Sequence, residues 1–116
     1  VLPMIDGDLD NGIVAHEYGH GISNRLTGGP NNTGCLNNAE QMGEGWSDWF
    51  GIMLTMKTGD QAEDVRGVGT YATGQPISGN GIRPAPYTTN MAVNGFTYGD
   101  VASANGVHAI GFIWAT

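Results

Sequence analysis

The sequence holds a single cysteine, Cys35, among 116 residues, so no disulfide can close within the chain and the redox compartment stays open. Cations are nearly as scarce. Lys plus Arg number 4 against 11 Asp plus Glu, a net charge of −7. No basic patch exists to neutralise phosphates, which argues against nucleic acid and anionic membranes as partners. No apolar run approaches the roughly 20 residues that cross a bilayer, and no signal peptide opens the chain. Both ends read as cut, because Val1-Leu2-Pro3-Met4 lacks initiator character and "HAIGFIWAT" stops inside an apolar, helix-like run. The expectation is residues 1 to 116 of one partial domain, a piece of something larger. Enough is left to build a core: 40% of the residues are hydrophobic, with 3 Trp, 4 Tyr and 3 Phe.

Three segments read as helices. The first runs from about Asp10 to Asn24, opened by Asp6, Asp8 and Asp10, whose carboxylates suit a helix N-terminus. Its Gly12, Gly19 and Gly21 each cost roughly 1 kcal/mol against alanine, so packing or a ligand must hold it. The second runs from about Glu40 to Thr58. There Met42, Trp46, Trp49, Phe50 and Met53 form one apolar stripe, and Glu44, Asp48, Gly51 and Thr55 a separate stripe of small and polar residues. The third begins near Asn105 and carries Val107, Ile110, Phe112, Ile113 and Trp114. Residues 27 to 38 are turn chemistry throughout. Residues 67 to 106 are rich in Gly, Asn, Thr and Pro, with only Arg83 and Asp100 charged. An irregular stretch of that length implies a functional or packing role.

Histidine is scarce too, with 3 in the chain, and two of them stand four apart in His16-Glu17-Tyr18-Gly19-His20. On a helix those two share one face, about 6 Å apart along the axis, so their imidazoles can converge on one ion. Zinc takes neutral imidazoles, and catalytic zinc sites use three protein ligands with water in the fourth position. Glu17, next to the first histidine, is placed to accept a proton from that water. The plain alternative is two helix histidines satisfied by hydrogen bonds. Glu44-Gly45-Trp46-Ser47-Asp48 adds two carboxylates at helical spacing on the small-residue stripe. One can complete a zinc shell while the other accepts a hydrogen bond from a ligand histidine's remaining N–H. A pair of solvated helix acids is the competing reading.

The stretches "DGDLDNGIVAHEYGHGISNRLTGGP", "CLNNAEQMGEGWSDWF", "GIRPAPYTTNM" and "VHAIGFIWAT" resemble the catalytic domain of the fungalysin family of secreted metallopeptidases. That family belongs to the thermolysin-like zincins with a glutamate third ligand. The resemblance covers nearly the whole chain. It implies a mainly α fold, the helical half of a zincin, with a long irregular segment along the cleft. It implies one zinc ion on His16, His20 and Glu44, Glu17 as general base, Asp48 orienting His16, and His108 stabilising the oxyanion. It implies secretion, endoproteolysis of protein or peptide substrates, and a β-rich upstream wall and further downstream helices that this chain does not include. That upstream part is the expected partner, and without it the chain would be a zinc-binding fragment or scaffold.

Other readings are weaker. A metzincin needs glycine at position 23 and histidine at 26, where this chain has Ser23 and Leu26. Glu40 is an alternative third ligand that lies outside the GEGWSD match. "DGDLDNG" with Glu17 mimics an EF-hand, but Asn11 stands where that loop needs glycine, so calcium is allowed and not supported. Thermolysin relatives place a calcium-binding aspartate where this chain has Gly12. Arg83 is a candidate for a substrate carbonyl, with a structural ion pair as the alternative. The expected acidic residue just before His108 is missing, Asp100 being the nearest carboxylate. Tyr87 and Tyr98 are the tyrosines available to assist the oxyanion. Asn31-Asn32-Thr33 fits a glycosylation acceptor.

Overall fold

The computed structural model describes residues 5 to 116. Three α-helices carry it: α1 (Asn11–Gly28), α2 (Met42–Leu54) and α3 (Val107–Ala115), with 3₁₀ turns at Gly7–Leu9 and Tyr98–Ser103. It is mainly α, as expected, and compatible with the helical part of a zincin catalytic domain. Among the described residues the strand-like pairing is limited to two isolated bridges, Arg66 with Tyr87 and Val68 with Gly81.

The acidic opening of α1 works as read. Asp10 is buried, and its Oδ1 accepts from the N–H groups of Gly12 at 2.9 Å and Ile13 at 3.3 Å. Those are two of the donors a helix start leaves unpaired. Its Oδ2 accepts from Tyr71 N at 3.1 Å and Ala72 N at 3.2 Å, which ties the irregular segment to the helix start. The helix runs four residues further than expected. It ends only where Gly29, at φ 74°, turns the chain and its N–H reaches the Arg25 carbonyl.

Helix α2 is shorter than expected at both ends. Gln41 sits in the left-handed region at φ 51°, which blocks an earlier start. At the other end the Thr55 hydroxyl turns back on the Gly51 carbonyl at 2.7 Å, and the helix stops. An apolar stripe on a helix ordinarily faces the core. Here Trp46, Trp49 and Met53 are exposed, Trp49 at 51%, while Gly45, Ser47, Asp48 and Gly51 are buried.

Close packing explains the inversion. Helix α2 lies between α1 and α3, and the contacts are backbone on backbone. A Cβ at Gly19 would stand 3.0 Å from Ser47 Cα, one at Gly51 3.1 Å from the Gly12 carbonyl oxygen, and one at Gly111 2.7 Å from Gly45 N. The small residues face inward because only they allow this approach. The hydrophobic core is modest: Val68, Ala85, Tyr87, Phe112 and Ile113. Three of those five come from the irregular segment, which gives that stretch its packing role.

The packing predicts opposite signs for two glycine substitutions. Gly45→Ala would drive its methyl into the Gly111 carbonyl and should lower stability by about 1–3 kcal/mol, the usual cost of overpacking. Gly21, also inside a helix, has open space around it, so Gly21→Ala should be neutral or stabilising by up to about 1 kcal/mol. Thermal melts of the two variants check the pair.

Candidate metal centre

The site is assembled from one face of each helix. His16 and His20, a turn apart on α1, bring their Nε2 atoms to 3.1 Å. Glu44, in the first turn of α2, places Oε2 3.1 Å from His16 Nε2 and 3.6 Å from His20 Nε2. Ligands about 2.0–2.1 Å from a tetrahedral ion stand about 3.3 Å from one another. The three separations bracket that value. Among the described residues these three are the donors gathered in this way.

The protons argue the same point. Asp48 Oδ1 lies 2.7 Å from His16 Nδ1. Burial works to raise the Asp48 carboxyl, but hydrogen bonds from His16 and Arg83 outweigh it and hold the group below the usual carboxylate range. A charged carboxylate only accepts, so Nδ1 carries the proton and the lone pair of a neutral His16 falls on Nε2. That lone pair faces Glu44 Oε2, which is buried and has no hydrogen-bond partner. His16 Nε2 and Glu44 Oε2 thus converge with His20 Nε2 on a point that a cation would relieve. A proton is the minimal one: burial disfavours it, yet the bonds to Asp48 and Glu44 push His16 up to about 9. His16 and His20 in turn hold the Glu44 carboxyl well below its usual range. The residues present fit a metal ion of imidazole-and-carboxylate preference.

Behind the histidine lies a closed network. Asp48 is 0% exposed, and its two oxygens receive four donors. These are His16 Nδ1, Arg83 Nε at 2.6 Å, Arg83 Nη2 at 2.7 Å and the Tyr87 hydroxyl at 2.6 Å. Arg83 thus forms the ion pair that was the alternative to a substrate contact, and its buried guanidinium also stands 3.7 Å from Glu44 Oε2. Tyr87, considered from the sequence only as an oxyanion helper, is instead buried on Asp48. The signal was there in Arg83-Pro84-Ala85-Pro86-Tyr87, where two prolines restrict the backbone between two polar side chains.

The remaining candidates lie outside the three-donor cluster, with His108 at its edge. His108, in the first turn of α3, puts Nε2 3.5 Å from Glu44 Oε1, with its side chain 63% exposed. Asp100 is spent on its own turn, accepting from Thr97 N at 2.7 Å and Thr97 Oγ1 at 2.9 Å. Glu17 is exposed and lines a surface groove with Val14, Tyr18, Leu54 and Thr55. Tyr98 is exposed and meets the Trp114 ring edge-on. Glu40 is exposed, and its backbone carbonyl accepts from Trp114 Nε1 at 2.7 Å, so its role in the structure is to anchor α3. The EF-hand-like spacing does not fold as a loop: residues 11 to 17 already belong to α1. Asn31-Asn32-Thr33 lies exposed in the turn after α1. Cys35 is a free thiol against the Asn24 carbonyl.

A family model described as Fungalysin metallopeptidase (M36) matches residues 1–116. The chain is 49% identical to Extracellular metalloproteinase 2 of Arthroderma gypseum, over 98% of this chain and 18% of that protein. It is 48% identical to Extracellular metalloproteinase MEP of Neosartorya fischeri and 47% identical to Extracellular metalloproteinase mep of Aspergillus fumigatus, with the same shares covered. The chain therefore spans about a fifth of the length of these curated relatives.

A single donor cluster predicts about one metal ion per chain. His16→Ala or Glu44→Ala should reduce the bound metal sharply, while Glu40→Ala should leave it in place. Elemental analysis of the purified variants checks this. Equal retention by the Glu44 and Glu40 variants would sink the donor assignment.

Proposed function

Because the chain belongs to the fungalysin metallopeptidase family, we propose that it carries the zinc centre of a secreted endopeptidase that cleaves protein or peptide substrates. The convergence of His16 Nε2, His20 Nε2 and Glu44 Oε2 around one cation-sized point carries this reading. The names of the relatives, extracellular metalloproteinases, support the location and the substrate class.

Zinc held there supplies Lewis acidity at the scissile carbonyl and a lowered pKa for water. The chain's own residues do the rest. Asp48 keeps the His16 proton on Nδ1, so Nε2 stays available for the ion. Glu17 accepts the proton of the attacking water and later passes it to the leaving amine. His108, exposed at the rim beside Glu44, donates to the oxygen on which negative charge develops.

A second reading concerns the 116 residues by themselves. Peptidases of this architecture hold an extended substrate against a strand edge by main-chain hydrogen bonds. Among the described residues the strand-like pairings are two isolated bridges, and one of them includes the buried Tyr87. On that observation the 116 residues alone bind zinc and cleave poorly, and the β-rich wall of the longer protein is their partner.

Two outcomes follow. In the active protein, Glu17→Gln should abolish turnover with zinc retained, and His108→Ala should lower kcat by roughly 10²–10³-fold, the scale for one oxyanion donor. Should His108→Ala instead unfold the protein at unchanged activity per folded molecule, His108 is structural. For the isolated chain, a casein-type assay should give at most about 1% of the longer protein's rate, since a misplacement of about 1 Å already costs on the order of 10²-fold. Full turnover by the isolated chain would overturn that second reading.

A further inference from the structure

We propose that Tyr87 is a positioning residue of the metal centre, acting through Asp48 to fix the His16 imidazole. The inference rests on the zinc reading above. Its own ground is the way four donors are divided between the two Asp48 oxygens. Oδ1 accepts from His16 Nδ1 and Arg83 Nη2, and Oδ2 from Arg83 Nε and the Tyr87 hydroxyl. Arg83 grips the carboxylate edge-on with two parallel bonds, which set its plane. Two bonds from one flexible side chain still let the carboxylate and guanidinium rock together. Tyr87 donates from a different position in the chain and removes that freedom.

Tyr87 is itself held at three points. Its backbone exchanges hydrogen bonds with Arg66, N to O at 2.7 Å and O from N at 2.9 Å. Arg66 in turn donates to the Ile52 carbonyl at 3.1 Å and to Thr55 Oγ1, which fastens the pair to the end of α2. The Tyr87 ring packs on Phe112 of α3, with centroids 5.1 Å apart. The hydroxyl is therefore placed by α2 and α3, while the histidine it governs belongs to α1. Burial and the Asp48 charge both favour the neutral phenol, so it remains a donor.

Losing the hydroxyl has two opposing effects. An unrelieved Asp48 accepts more strongly from His16 and makes Nε2 more basic, which favours metal. The carboxylate also loses its second anchor, and the imidazole with it. Changes in such outer partners typically weaken metal binding by about 10–100-fold, so orientation should win.

The test uses the purified protein, loaded with zinc for affinity and with cobalt(II) for spectroscopy. Tyr87→Phe should weaken zinc by about 10-fold in chelator competition and alter the cobalt visible bands, both read well below a metal-free melting temperature that itself falls because buried Asp48 loses a donor. Tyr71→Phe, at a residue that is 53% exposed and outside the site, should match the parent in both. Parent-like zinc affinity and cobalt bands in Tyr87→Phe overturn the inference. Absence of stoichiometric metal from the parent overturns the zinc reading itself, a separable result. If Tyr87→Phe does not fold, 3-fluorotyrosine at position 87 keeps the ring and sharpens the donor. Shifted cobalt bands then support the bond, and unchanged bands overturn it.

Discussion

The buried carboxylate of Asp48 is the constraint on which the rest of the molecule depends. A charge with no solvent contact costs several kcal/mol unless its oxygens are filled with donors. Here each lone pair has one, and the donors come from three places: α1, residue 83 and residue 87. Satisfying that one group therefore brings the irregular segment against α2 and holds α1 across from it. The same bonds decide which nitrogen of His16 is protonated, so the electrostatics of folding and of the metal centre are one problem.

That demand also accounts for the orientation of α2. A carboxylate can be buried between helices only if the helices come close, and they come close only over residues without bulk. Gly45, Ser47 and Gly51 supply the clearance next to Asp48, and the tryptophans are turned to the outside. Side-chain volume, rather than hydrophobicity, selects the inward face.

Much of the site was legible because its logic is periodic. His16 with His20, and Glu44 with Asp48, sit at helical spacing, and the structure brings His16, His20 and Glu44 together. The helix ends were less legible, since they were set by a left-handed Gln41 and by a Thr55 hydroxyl, neither of which leaves a strong pattern. The facing of α2 was not legible, because the stripe that hydrophobicity picks out is the one that packing excludes. Tyr87 was named for another role. Its partner lies 39 positions away, and residues 67 to 106 give no period from which to read that contact. Glu17, the proposed general base, gives the least geometry: it was marked by its place beside His16, and the fold leaves it open to solvent.

The glycine contact between α2 and α3 has a mechanical consequence. Gly45 and Gly111 touch through backbone atoms, with no side chain between them to bend; Gly45 directly follows Glu44 on one helix, and Gly111 follows His108 by three positions on the other. Low compliance at that point fixes the backbone of Glu44 relative to that of His108. The distance between Glu44 Oε1 and His108 Nε2 is then set by the stiffness of two packed backbones and by the rotamers of those two side chains.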